Sequence, residues 1–408
     1  MSDSLRFRLH WNRLPAVRTI RTRLTFASTS TKLAGTTNSM EHGPKSSKWE
    51  VENGQYTRPF DPFEETFSSL CHDRARPEFR SLDAVASIGI ETLPNDANAF
   101  LETLKKAWAR IRYLHPFLAS EVGPKAFRYT PLQGQSDIDE WLQKTLIIKD
   151  WDSESEVQGC QDLAVAPATQ APRLYYFPGK RRLIIRMNHM HIDGHGLVSM
   201  LQDLFAEMHR LHYDGETVNE PWGEEVQNLA SSAFDAAGIA ALKDPCSLKL
   251  PQPRADGEAF EFPSINTTFP PASGKTQSLD FTESQTSEFL CHAKGSGLGI
   301  TAFVHAALIH AGKAVCPSSR STVHSNFIIF NFREKCTASP VNAHLKATAL
   351  RIGFWPIQVH IDDEFRRTAF RVKHEYESLA SRFSEAGSEA LFTVGLTKDP
   401  TKVVPFSS

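Results

Sequence analysis

Leu183-Ile-Ile-Arg-Met-Asn-His189-Met-His-Ile-Asp193-Gly194-His-Gly196 is the stretch from which the rest of this 408-residue chain can be read. It opens on an apolar run, Leu183–Met187, and a second run, Leu174–Phe177, stands before it across Pro178-Gly179-Lys180. Two such runs around a Pro-Gly turn predict a β-hairpin. Behind the stretch, Leu197, Met200, Leu201, Leu204, Met208 and Leu211 mark one face of an amphipathic helix of three to four turns. The histidine-rich segment therefore sits at a strand-to-helix junction, where side chains project from a sheet edge into a cleft.

Two chemistries compete for that junction. In the first, His189 is a general base, because an imidazole with an ordinary pKa of ~6.5 takes protons at neutral pH. Asp193, four residues on, would hold the loop as a helix cap or by pairing with an arginine, and Gly194 would permit the turn. In the second, His189, His191, Asp193 and His195 alternate as metal ligands on one side of an extended strand. The run is similar to the His-x-His-x-Asp-His of metallo-β-lactamase-type zinc hydrolases, but Gly194 breaks the register and no downstream ligands can be nominated. The plainer reading of each residue also stands: a strand-end histidine is more often structural, and an Asp before a helix is more often an N-cap. His191 and His195 read as incidental.

Further out, the chain looks globular from about Trp49. Phe100, Leu101, Leu104, Trp108, Ile111 and Leu114 recur at helical spacing between a Pro94-Asn95-Asp96 start and a Pro116 stop. Six prolines fall between Asp244 and Lys275, which reads as a linker. Thr282-Glu283-Ser284-Gln285 has the capping-box pattern of a helix start, Gly295–Gly299 breaks that helix, and Thr301 begins another. Phe327–Phe330 is a short strand ending in Asn331-Phe332-Arg333, and a last amphipathic helix covers Asp362–Leu379. Helices alternating with short strands in both halves predict a two-domain α/β or α+β protein.

Composition removes several classes of function. With 45 basic against 47 acidic side chains the net charge is −2, which argues against nucleic acid as a partner. No apolar run approaches the ~18 residues of a membrane span, and Ile300–Ala314 is interrupted by His305, His310 and Lys313. The six cysteines are scattered without metal or redox spacing, which suits a reducing compartment. Residues 1–39 hold seven basic side chains against Asp3 alone, together with twelve Ser or Thr. That is the composition of a mitochondrial transit peptide, or of a disordered stretch upstream of a start at Met40. On either reading this stretch lies outside the fold, and the protein is cytoplasmic unless the peptide is genuine.

The segment Leu183–Gly196 resembles the signature of the HxxxD acyltransferase superfamily, which includes chloramphenicol acetyltransferase, plant BAHD acyltransferases, nonribosomal peptide condensation domains, and fungal alcohol and trichothecene acetyltransferases. Trp108-Ala-Arg-Ile-Arg-Tyr-Leu-His115-Pro116, Gly299-Ile-Thr301-Ala-Phe-Val-His-Ala-Ala307 and Asn331-Phe332-Arg333 are similar to further segments of that group, in the expected order. The resemblance covers about residues 50–380, nearest to the fungal alcohol or mycotoxin enzymes.

The resemblance implies two chloramphenicol acetyltransferase-like subdomains with a tunnel between them. On this chain they would be 49–243 and 276–408, joined by the linker 244–275 and preceded by the extension 1–48. It further implies an O-acyltransferase that takes acetyl-CoA or another acyl-CoA as co-substrate and a small-molecule alcohol as acceptor. His189 would be the base, Asp193 would pair with Arg333, and Gly194 would support the turn. No metal and no permanently bound cofactor is expected, and a monomer is. Asn188, where condensation domains carry a second histidine, favours a free-standing enzyme. Only 75 residues follow Arg333 and no BAHD-type Asp-Phe-Gly-Trp-Gly segment is present, so the second subdomain reads as C-terminally incomplete. A truncated, inactive relative and a zinc hydrolase are the alternatives.

Overall fold

The computed structural model describes residues 23–25, 48–71, 83–90, 97–150, 171–215, 219–238, 281–315, 322–336 and 348–386. The Pro-rich segment 244–275, most of the extension 1–48, the Pro94–Asp96 start signal and the last residues, 387–408, lie outside them. Contacts divide the chain into two compact units, one built from Glu41–Ala241 with Asn331–Ile352, the other from Leu242–Phe330 with Gly353–Ser408. Arg333, which the sequence puts in the C-terminal half, thus belongs by its contacts to the first unit.

In chain order the first part holds β1 (Arg23–Thr25), β2 (Glu50–Glu52), β3 (Gln55–Pro59), α1 (Pro62–Cys71), β4 (Asp83–Gly89) and α2 (Ala97–Leu114). It continues with β5 (Glu121–Val122), β6 (Ala126–Tyr129), α3 (Gln135–Thr145), β7 (Leu146–Ile148), β8 (Arg173–Phe177), β9 (Arg182–Asn188) and α4 (Gly194–Tyr213). Five strands form one sheet in the order β1-β4-β9-β8-β7, antiparallel except for the β7–β8 pair. The other four form a small sheet, β2-β3-β6-β5. One expectation is corrected here: Arg23–Thr25, in the stretch read as outside the fold, pairs with β4 and makes an edge of the larger sheet.

The hairpin and helix signals around the histidines have a physical basis in burial. Strand β9 is buried on both faces, so it reads as a continuous apolar run rather than an alternating one. On one face Leu183, Ile185 and Met187 join Ala84, Ala86 and Ile88 of β4 under α2 and α4. There Phe100, Leu104, Trp108 and Ile111 meet Leu197, Met200, Leu201 and Leu204. Each such side chain is worth about 1.5–3 kcal/mol when removed from water. On the other face Ile184 packs with Val85, Tyr175 and Phe177. Arg181 closes the hairpin in the left-handed region at φ 46. Helix α4 runs 20 residues, longer than its apolar stripe alone suggests, starting one turn earlier at the Asp193 cap and ending on Tyr213, whose ring lies against His209 of the same helix.

The second unit contains α5 (Glu283–Gly295), α6 (Ile300–Val315), the strand pair β10 (Val323–Asn331) and β11 (Ile352–His360) apart from the end residues Asn331 and Ile352, and α7 (Phe365–Ala386). Thr282 and Gln285 form the expected capping box, with both reciprocal hydrogen bonds present. Phe303 sits edge-on between Phe289 and Phe365, with ring centroids 5.0 Å away on either side. His305 and His310, which interrupt the apolar run, find partners inside this unit: His305 contacts His324 and Tyr376, and His310 contacts Thr368. Among the described residues no single helix is long and apolar enough to cross a membrane.

Candidate active site

Strand β9 stops at Asn188 because its side chain turns back on the chain: Oδ1 accepts a hydrogen bond from the Met190 amide at 2.8 Å. One 3₁₀ turn, His189–His191, follows, then an extended Ile192 and the N-cap of α4 at Asp193. A single strand end, a single turn and a helix start thereby set where each polar side chain of the motif goes.

The His189 imidazole lies in this turn, 6% exposed, with its ring 5.2 Å from that of Phe67 on α1. Burial lowers its pKa below the ordinary 6.5, because desolvation disfavours the cation. A hydrogen bond to its own main chain, and the charges of Asp193 and Asp83, act the other way. At neutral pH the ring is therefore the neutral imidazole. A neutral imidazole keeps a ring-nitrogen lone pair, and that is what a proton would meet.

Asp193 is 1% exposed and is cap and ion-pair partner at once. Oδ1 accepts from the Gly196 amide at 2.8 Å, which satisfies an orphan donor at the start of α4. Arg333 brings Nη1 to 2.9 Å of the carboxylate, and the Arg351 main-chain amide donates to Oδ2 at 2.7 Å. The Arg333 guanidinium is braced further by the Ala349 carbonyl and the Asn331 side chain, each at 3.3 Å. The two uses weighed for Asp193 in the sequence are thus simultaneous, and the carboxylate is spent on holding the loop.

Gly194 is placed at the first position of α4, but the reason given for it in the sequence is corrected. Its φ lies outside the left-handed region, and a Cβ there would meet nothing within 4 Å. The turn is made by His189–His191, with Ile192 and Asp193 extended behind it, and what Gly194 leaves is open space beside the helix start.

The metal reading required an extended strand with ligands on one side, and the 3₁₀ turn removes that premise. His191 is 1% exposed and points inward, with Nε2 donating to the Ser120 carbonyl at 2.9 Å and its ring against Phe117 and Phe127. Burial drops its pKa to about 4, against a smaller opposing effect of the Ser120 bond. Asp193 is turned to Arg333, and His195 is exposed on α4. The four side chains diverge. Among the described residues no group of three or more His, Cys, Asp or Glu is placed to hold a metal ion.

Several buried residues that support the site escaped the sequence reading. Arg351 is fully buried, with its guanidinium on the carbonyls of Ser231 and Leu350 while its amide holds Asp193. Arg58 is clamped by both oxygens of Glu64 at 2.8 and 2.9 Å and sits over the rings of Trp49, Phe117 and Phe127. Asp61 and Glu64 cap α1 reciprocally, at 2.8 and 3.0 Å. Asp61-Pro-Phe-Glu64 is the one signal that could have been found, an acidic variant of the capping box with proline at the first helical position. An isolated arginine such as Arg351 carries no periodicity to find it by. His115, quoted for its His-Pro, bonds Asp203 of α4 through Nε2 at 2.9 Å and ties α2 to that helix.

No family model matches the chain. Among curated proteins it is 25% identical to the acetyltransferase pigO of Monascus ruber over 324 residues, which is 76% of this chain and 68% of that one. It is 24% identical to the O-acetyltransferase pigM of the same fungus over 274 residues, 64% of this chain and 51% of the relative. Among solved structures, TRI3 trichothecene 15-O-acetyltransferase of Fusarium sporotrichioides matches with a TM-score of 0.60 at 14% identity, over 87% of this chain and 79% of that one.

Proposed function

We propose that the chain is a CoA-dependent acyltransferase of the chloramphenicol acetyltransferase-like superfamily and that it moves an acetyl group from acetyl-CoA to a hydroxyl of a small specialised metabolite, with His189 as general base. The observation that carries this reading is the division of labour at the junction. His189 is neutral at the end of β9, while Asp193, four residues on, is consumed by Arg333, the Arg351 amide and the helix cap. A carboxylate held in this way fixes the loop and leaves the proton transfer to the imidazole.

The acceptor hydroxyl would give its proton to the His189 lone pair as its oxygen attacks the thioester carbonyl. The new C–O bond forms, the C–S bond breaks, and the proton passes from the imidazolium to the departing CoA thiolate. No acyl-enzyme is formed. General-base help of this kind is worth about 10²–10⁴-fold.

The test is a panel of small alcohols with acetyl-CoA, following free thiol and the mass of the acylated product. Thiol release that depends on the alcohol supports the reading. Acetyl-CoA binding with no alcohol-dependent release from any member would reduce the protein to a binder.

A further inference from the structure

The larger sheet carries a second buried charge pair, one strand away from the base. Antiparallel register sets Asp83 of β4 opposite Asn188 of β9, and Val85 opposite Arg186. Cross-strand and diagonal neighbours share a face, so Asp83, Arg186 and Asn188 lie together, on the face opposite α2 and α4. Arg186 contacts Asp83 Oδ2 through both Nε and Nη2 at 2.5 Å, with each side chain 1% exposed. A buried pair of this kind is weak evidence of stabilisation, since matched apolar residues often serve as well or better. Its place suggests another use: Asp83 is the cross-strand partner of the residue that immediately precedes His189.

We propose that the Asp83–Arg186 pair sets the proton affinity of His189, which makes Asp83 a positioning residue of the transfer reaction; this rests on His189 being the base. Among the described residues, two carboxylate–arginine pairs flank the turn. Asp83 comes from β4 and Arg186 from β9, while Asp193 comes from the start of α4 and Arg333 from the turn after β10. From α1 the turn meets the Phe67 ring, and Glu64 of that helix is held by Arg58. Both carboxylates oppose the effect of burial on the imidazole. The carboxylate of Asp193 is additionally tied by two main-chain amides, so Asp83 is the member of the set whose charge can be removed without uncapping α4. Replacing it by Asn removes a charge that favours imidazolium while the Arg186 cation stays, and a nearby buried cation disfavours imidazolium.

The experiment is an NMR titration of the His189 ring in the full chain, assigned by its loss in His189→Ala, for the wild type, Asp83→Asn and Asp83→Asn/Arg186→Met. The proposal expects a proton affinity at least about threefold lower in Asp83→Asn, and a smaller drop in the double variant, where the stranded cation is gone. The acid limb of the kcat profile should move to lower pH in step, with the KM for acetyl-CoA unchanged. Because the double variant removes both charges together, it reads the effect even if Asp83→Asn does not fold. An unchanged midpoint in the variants that fold, with a lower melting temperature alone, would make the pair purely structural and overturn the proposal. The titration needs no turnover. If His189→Ala were fully active while the midpoint still moved, the general-base reading would fall and the proposal with it, whereas an unmoved midpoint would leave that reading standing.

Discussion

Asp193 accepts from two main-chain amides and pairs with Arg333, and its replacement separates charge from capping. Asp193→Asn keeps an N-cap side chain but strands the buried Arg333 guanidinium. Breaking a buried pair from one side costs about 3–5 kcal/mol, so urea unfolding should show a loss of that order, and a loss below about 1 kcal/mol would contradict the geometry. Asp61 makes a prediction about pH. Burial first, then the neighbouring Glu64, raise its pKa from 3.8 to about 7. The folded state thus holds a proton that the unfolded state has lost between about pH 4 and 7, and stability falls as pH rises through that window. Asp61→Asn should gain on the wild type across it, by about 1.4 kcal/mol for each unit separating the two values. A pH-independent difference between the two would show that Asp61 is ionised throughout. At this scale the motif residues were legible because His189, Asp193 and Arg333 fall in recognisable segments. Arg351 was not legible, because it acts on Asp193 through a main-chain amide, which any residue type supplies.

At the scale of elements, the 3₁₀ turn after β9 corrects the standing of His191. The sequence reads it as incidental, yet it is the bond from this turn to Ser120 and a ring between Phe117 and Phe127. His191→Ala opens a cavity and leaves a buried carbonyl unmet, at about 2–4 kcal/mol. The loss should appear in thermal unfolding, while turnover per folded molecule is unchanged; an unaltered melting temperature would deny the contact. In the second unit, His305 of α6 meets His324 of β10 at 3.1 Å and Tyr376 of α7 at 3.3 Å. Burial lowers both histidines, His324 to about 4 with the help of His305. A lowered value means stability is whole above about 6.5 and is lost as pH falls toward 4, since the unfolded chain binds the protons first. Amide exchange in α6 should therefore quicken on acidification, and His324→Asn should flatten that dependence. Exchange indifferent to pH beyond its intrinsic chemistry would refute it. The hairpin, α2 and the Thr282 capping box were legible from period and turn chemistry. Strand β1 was not, because three residues at a sheet edge leave no pattern in a basic, Ser/Thr-rich stretch.

For the whole molecule, order and spacing carried more than any single motif. Four residues from His to Asp recur by chance, but the His-Pro, the histidine junction, the Gly-Ile-Thr helix start and the Asn-Phe-Arg turn in sequence identify one architecture. The contact boundaries were harder to read: Asn331–Ile352 is grouped with the first unit because Arg333 and Arg351 both serve Asp193. A linear reading places a residue by its neighbours in sequence, whereas an ion pair across 140 positions places it by its partner. The most direct measurement is the rate of CoA release by His189→Ala against the wild type, at saturating acetyl-CoA with the best alcohol of the panel, after thermal shift has shown that both bind acetyl-CoA. The account predicts retained binding and a rate lower by about 10²–10⁴-fold. A His189→Ala protein that releases CoA at the wild-type rate would contradict it.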